Sequence, residues 1–268
     1  MKIRIFIVTY NGEQHLRENL DRLFSSDNFN DHQIEVNVIN NHSKFLLDDH
    51  YIGRVNVYHN QLRPDFSTGH LARNWNQAII NGFESLLAPA CELLIHVQDD
   101  IHWKKDWLAR LFPIMERRTF YQSGNGDAFC CYRVEAIKKI GLWDERYCNI
   151  GYHEYDYFLR AVIHNGDKTS INDGDSERSP WNTEDQVVDH VHRDEFKHAS
   201  HQLSVAYHHI SAKVFFHKWG FDGTTRNNAS NFWGWASENV KNTSSHNFMF
   251  YPYFEKDIEH LEDKNYII

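Results

Sequence analysis

The chain has 268 residues, 41% hydrophobic and 24% charged, which suits one or two packed domains and excludes wholesale disorder. Its formal charge of −9, from 28 basic and 37 acidic residues, makes a poor binder of phosphate backbones, so nucleic acid is not an expected partner. No apolar run approaches the ~20 residues of a spanning helix, so no transmembrane segment is expected.

Residues 3–8 (IRIFIV) form a continuous apolar run, the pattern of a buried parallel strand rather than of a cleaved leader. The Asn11-Gly12 turn follows, and then Leu16, Leu20, Leu23 and Phe24 recur at helical spacing. Residues 35–39 and 55–58 read as further strands. Over 71–87 the apolar residues again fall on one helical face. Residues 93–97 (LLIHV) predict another buried strand, closed by Asp99-Asp100, and Trp107, Leu108, Leu111 and Met115 the next helix. The first ~115 residues therefore alternate β-α-β-β-α-β-α, which predicts an α/β fold with a mostly parallel sheet flanked by helices. Such sheets bind ligands beyond the carboxyl ends of their strands. Thr9-Tyr10-Asn11, Asn40-Asn41-His42 and Gln98-Asp99-Asp100 all lie at such ends.

In the second half, 128–132 predicts a strand, 134–140 a short helix, 154–165 a helix and 187–192 a strand. Residues 166–186 are polar and rich in turn formers, as a functional loop would be. The aromatic-rich tail from about 200 is expected to fold, because that many exposed rings would promote aggregation. Cys91, Cys130, Cys131 and Cys148 fit neither a disulfide framework nor zinc spacing. Reduced thiols in the cytoplasm are the simplest account, with contact to a membrane peripheral at most.

Four clusters carry chemistry. Asp99-Asp100 after a strand suits a hard divalent cation, or equally a solvated turn. His190 and His192, two apart on a strand, point to one side, where one imidazole could join that cation; 19 histidines also make a chance pair easy. Glu154 and Asp156 open a helix, where acids either complement the dipole or serve as a general base and its partner. Arg73 is either a phosphate ligand or an ordinary surface arginine.

Taken in order, these pieces resemble the family 2 glycosyltransferases. Thr9-Tyr10-Asn11 is similar to that family's opening, and Asn40-Asn41-His42-Ser43 to the turn after its second strand. Asn60 to Asn76, with Gly69 and Arg73-Asn74, resembles its Gly-containing segment and Arg-Asn helix. Gln98-Asp99-Asp100 falls at its Asp-x-Asp metal motif. Gly126-Asp127-Ala128-Phe129 and Gly141-Leu142-Trp143-Asp144-Glu145 resemble its acceptor side, and His153-Glu154-Tyr155-Asp156 through Arg160 its Glu-Asp-x-Asp helix. Gln98 replaces the first acid of the metal motif, and His153 the Glu of the Glu-Asp pair.

The resemblance implies a GT-A fold, a Rossmann-like mostly parallel sheet, over 1–200, with 1–115 the nucleotide-sugar half and 116–200 the acceptor half. Residues 201–268 form a C-terminal extension that builds the acceptor side or a homodimer contact. It implies an inverting, metal-dependent transferase, with Asp100, His190 and His192 the candidate ligands of Mn²⁺ or Mg²⁺. Thr9, Tyr10, Asn11, Glu13, Asn41, Arg73, Asn74, Gln98 and Asp99 would bind the nucleotide-sugar, a UDP-sugar first of all. Glu154 would be the base and Asp156 its acidic partner, acting on a glycan or glycolipid acceptor. A nucleotidyltransferase fits less well, since 9–13 contain no Lys or Arg for a phosphate loop. A nucleotide-sugar-binding or carbohydrate-binding protein of the same fold, without transferase activity, is the alternative that Gln98 favours.

Overall fold

A computed structural model of the chain describes residues 1–10, 12–41, 48–60, 71–124, 126–147, 152–165, 186–191 and 210–215. Expectations for Asn11, His42, Ser43, Gly69, Cys148 and His192, for the 166–185 loop and for the tail beyond 215 lie outside the described residues.

The strands and helices are β1 (Lys2–Thr9), α1 (Glu13–Phe24), β2 (Gln33–Asn41), β3 (Val55–Asn60), α2 (Leu71–Phe83), β4 (Leu93–Gln98), β5 (Ile101–Trp103), α3 (Trp107–Arg117), β6 (Phe120–Ser123), β7 (Phe129–Tyr132), α4 (Val134–Ile140), α5 (Tyr152–Asn165) and β8 (Val188–His190). The main sheet has the order β3-β2-β1-β4-β7-β6. β3, β2, β1 and β4 run parallel, and β7 lies antiparallel to both β4 and β6.

Alternation along β1 explains the two layers. Ile3, Ile5 and Ile7 face one side and pack with Leu16, Leu20 and Leu23 of α1 and with Trp107 and Leu111 of α3. Phe6 and Val8 face the other side, against α2, α4 and α5, where Trp75, Ile137 and Tyr157 are buried. A strand covered on both faces reads as a continuous apolar run, which is why β1 and β4 stand out in the sequence.

Two short strands, β5 and β6, escape the sequence pattern. Each has only three or four residues, too few for a period to register. α2 stops at Phe83 rather than continuing to 87, because Glu84 takes a left-handed backbone with φ 61°. Gly82, two residues before Glu84, leaves room for its neighbour: a Cβ there would collide with Leu94 Cδ1. Among the described residues, no helix is long and apolar enough to cross a membrane.

Candidate functional site

The carboxyl ends of β1, β2 and β4 form one rim. Thr9 is buried at the end of β1, and its Oγ1 donates to Asp99 Oδ2. Tyr10 follows, half-buried. The turn that carries Asp99 and Asp100 is pinned from three sides. The Asp99 amide donates to Val8 O at 3.1 Å and the Gln98 amide to Ala128 O at 3.0 Å. Asn19 of α1 donates to Gln98 O at 3.2 Å, while its own Oδ1 accepts from Trp103 Nε1 at 2.7 Å.

Asp100 leads directly into β5, which pairs antiparallel with β8 so that Ile101 lies opposite His190. The Val191 amide donates to Asp100 O at 2.8 Å. The strand that carries His190 is thus brought alongside Asp100.

A second side of the rim is lined by carboxamides. Asn60 Nδ2 contacts Asn41 Oδ1 at 3.0 Å, Gln77 Oε1 at 3.0 Å and Asn74 Oδ1 at 3.4 Å. Asn41 and Asn74 are both buried.

The third side centres on Asp127, in the 126–128 turn that precedes β7. Its Oδ2 accepts from Trp75 Nε1 and from His153 Nε2, the latter at 2.8 Å, and its Oδ1 accepts from Gln98 Nε2 at 2.7 Å. Burial works against this carboxylate, but the charge and hydrogen bond of His153, with the Trp75 bond, hold it below the usual carboxylate range. Glu154 is next along α5, with Oε1 4.0 Å from His153 Nε2.

Gly126 has φ +59°, and a Cβ there would come within 2.7 Å of the Glu154 carboxylate. The glycine is therefore needed twice, for its backbone and for the space it leaves. Under this cluster His96 stacks on Trp75, with ring centroids 3.9 Å apart and planes 8° from parallel. Burial pushes its imidazole down to about 3, so it is neutral.

Asp127, His153 and Glu154 each bring one potential ligand atom to within 4.8 Å of the others, the one such group among the described residues. For a cation to enter, His153 would have to give up the N–H that it donates to Asp127. As it stands, the group is closed by hydrogen bonds.

Of the other expected residues, Glu13 is exposed at the start of α1. Arg73, 65% exposed, pairs with Glu145 at 3.3 Å. Asp156 is fully buried and faces inward, holding Arg160, whose Nη1 donates to Ile140 O at the end of α4. This ion pair ties α5 to α4 rather than reaching the rim. Asp127 falls in the Gly126-Asp127-Ala128-Phe129 stretch that resembles an acceptor side, but its partners are not legible there, and His96 carries no sequence signal of a role, since a lone histidine within a strand is commonplace.

No protein-family model matches the chain, and no curated protein sequence does. Solved structures do. Mannosyltransferase PcManGT from Pyrobaculum calidifontis, solved with GDP-Man and Mn²⁺, aligns over 90% of this chain and 73% of its own, at 14% identity and TM-score 0.50. The fold is that of the GT-A glycosyltransferases. GalNAc-T7, solved with UDP, GalNAc and Mn²⁺, aligns over 90% of this chain and 55% of its own, at 13% identity and TM-score 0.47. TarS of S. aureus (residues 1–349) aligns over 61% of this chain, at 17% identity and TM-score 0.42. The match spans 56% of that TarS chain, about half its length.

Proposed function

We propose that the protein is an inverting, metal-dependent glycosyltransferase of the family 2 type, moving a sugar from a nucleoside diphosphate to a hydroxyl of a glycan or glycolipid. The observation that carries this reading is the meeting, at one rim of a GT-A sheet, of the β1, β2 and β4 ends with the carboxylate of Glu154.

Tyr10 and Asn41 would hold the nucleoside, with Thr9 and Asp99 fixing the strand ends beneath it. Asn11 belongs to the same set by sequence. Asn74 would extend the amide wall toward the donor. Asp100 and an imidazole from His190 or His192 would hold Mn²⁺ or Mg²⁺; the pairing of β5 with β8 brings the backbones of the two segments together. Carboxylate oxygens suit both ions, and an imidazole nitrogen is an acceptable further donor. A cation held there supplies positive charge opposite the departing diphosphate. The bond of Gln98 to Asp127 supports reading residue 98 as a link between the two sides rather than as a metal ligand.

The acceptor hydroxyl gives its proton to the Glu154 carboxylate as its oxygen bonds the anomeric carbon. The bond from that carbon to the diphosphate breaks on the opposite face, and its electron pair leaves with the diphosphate. The GDP-Man and Mn²⁺ bound by PcManGT support this donor class.

The test is thermal shift against UDP-, GDP- and dTDP-sugars with and without Mn²⁺. A donor at 100 times its dissociation constant adds about 2.7 kcal/mol of stability. At least one donor should raise the melting temperature, more so with Mn²⁺. A panel without any shift sinks the reading.

A further inference from the structure

We propose that the buried Asp127–His153 pair is a positioning device that seats the Glu154 carboxylate on Gly126 and ties it to the donor side of the rim. This rests on Glu154 being the base.

Consecutive helix residues point about 100° apart. Once His153 is fixed inward, the rotation of α5 about its axis is fixed too, and Glu154 is turned toward the rim. The anchor is rigid: Asp127 and His153 are each only 1% exposed, against 16% for Glu154. Asp127 cannot swing, because Trp75 of α2 and Gln98 of β4 both donate to it.

One carboxylate thus joins four parts of the molecule: α2, the end of β4, the 126–128 turn and α5. Gln98 immediately precedes Asp99 and Asp100, so the same chain of bonds sets the distance from the donor side to Glu154. The seat itself is the Gly126 backbone, where a Cβ would lie 2.7–3.0 Å from three atoms of the Glu154 carboxylate. Removing the N–H of His153 frees the helix end. Adding a methyl group at 126 instead crowds the carboxylate off its seat and strains the positive-φ backbone, with both side chains of the pair still present.

The experiment uses whichever UDP-, GDP- or dTDP-sugar raises the melting temperature most with Mn²⁺. Turnover is read as nucleoside diphosphate release, and affinity by calorimetry. His153→Phe and Gly126→Ala should each lower kcat about 10–100-fold, the scale of an ångström-sized misplacement, while the donor dissociation constant stays within about twofold. His153→Gln, which still offers an N–H to Asp127, should recover most of kcat and guards against a folding defect in the Phe variant.

Two results would overturn the proposal: His153→Phe and Gly126→Ala turning over like wild type while Glu154→Gln is dead, or donor affinity falling as far as kcat. An active Glu154→Gln would remove the base assignment and the positioning role with it.

Discussion

The two flanks of the rim use different polar chemistry. Where β2, β3 and α2 meet, the polar side chains that bond one another are carboxamides, buried at Asn37, Asn41 and Asn74 and half-buried at Asn60 and Gln77. Where the 126–128 turn meets α5, they are ionisable: Asp127, His153 and the half-buried Glu154. A carboxamide offers donors and an acceptor in fixed directions and does not change charge near neutral pH. Carboxylates and imidazoles can take and give protons. The amide flank is thus suited to holding a ligand in register, and the ionisable flank to moving a proton. The Gln98–Asp127 bond is where the two meet.

The largest effect should come from the ionisable flank. Glu154→Gln keeps shape and hydrogen-bonding reach but cannot accept a proton at neutral pH. Turnover should fall about 10²–10⁴-fold, with donor affinity and melting temperature nearly unchanged. A helix-dipole role would instead cost about 0.3–1 kcal/mol of stability and little activity. Asp156→Asn separates the two acids: it should lower the melting temperature, since it breaks the buried pair with Arg160. If Asp156→Asn is folded but dead while Glu154→Gln is active, the base is Asp156.

Next in size is Asp100→Ala. Loss of even an outer partner of a metal ligand costs about 10–100-fold in metal affinity, and loss of a ligand should cost more. Calorimetry with Mn²⁺ and donor should show the metal-dependent part of binding disappear. Undiminished Mn²⁺ affinity would move the site away from the β4–β5 turn.

The sequence carries the donor flank well and the ionisable flank poorly, for a physical reason. Parallel strands buried on both faces leave long apolar runs, and polar residues just past them mark the rim. Thr9, Asn41 and Asp100 are found that way. Asp127 acquires its role only from Trp75, Gln98 and His153, which stand 52, 29 and 26 positions away. No local pattern encodes such partners. Asp156 is the converse case, since its sequence match does not reveal that Arg160, one turn on, draws it into the core. The three-residue β5 is equally silent until it pairs with β8.

The amide flank should fail more gently. Asn60→Ala leaves the side-chain oxygens of Asn41, Asn74 and Gln77 without the amide they share, and an orphaned buried polar group costs about 1–3 kcal/mol. Urea denaturation should show a loss on that scale. Donor affinity should weaken as well, with kcat at saturating donor little changed. A kcat loss like that of Glu154→Gln would erase the division of labour between the two flanks.

The smallest effect concerns the floor beneath both. His96 is wholly buried between Trp75 and Tyr132, and its Nε2 has no hydrogen-bond partner among the described residues. Its folded value of about 3, set by burial against the pull of Asp127, lies below the ordinary 6.5 that it regains on unfolding. The unfolded chain therefore binds this proton first. Stability from His96 is intact above pH 6.5 and is lost progressively as pH falls from there toward 3. Between pH 7.5 and 5.5 the loss should be about 1.4 kcal/mol, one unit of protonation in the unfolded state alone. The other histidines also titrate over this range, so the measurement is a difference. His96→Phe keeps the stack on Trp75 and removes the titrating group, and Tyr132 still has Trp143 Nε1 as a partner at 3.1 Å. Urea denaturation of both proteins at the two pH values should show a shallower pH dependence for the variant by about that amount. Equal slopes would mean that His96 takes up its proton within the folded protein, and that the floor of the site is wetter than its packing implies.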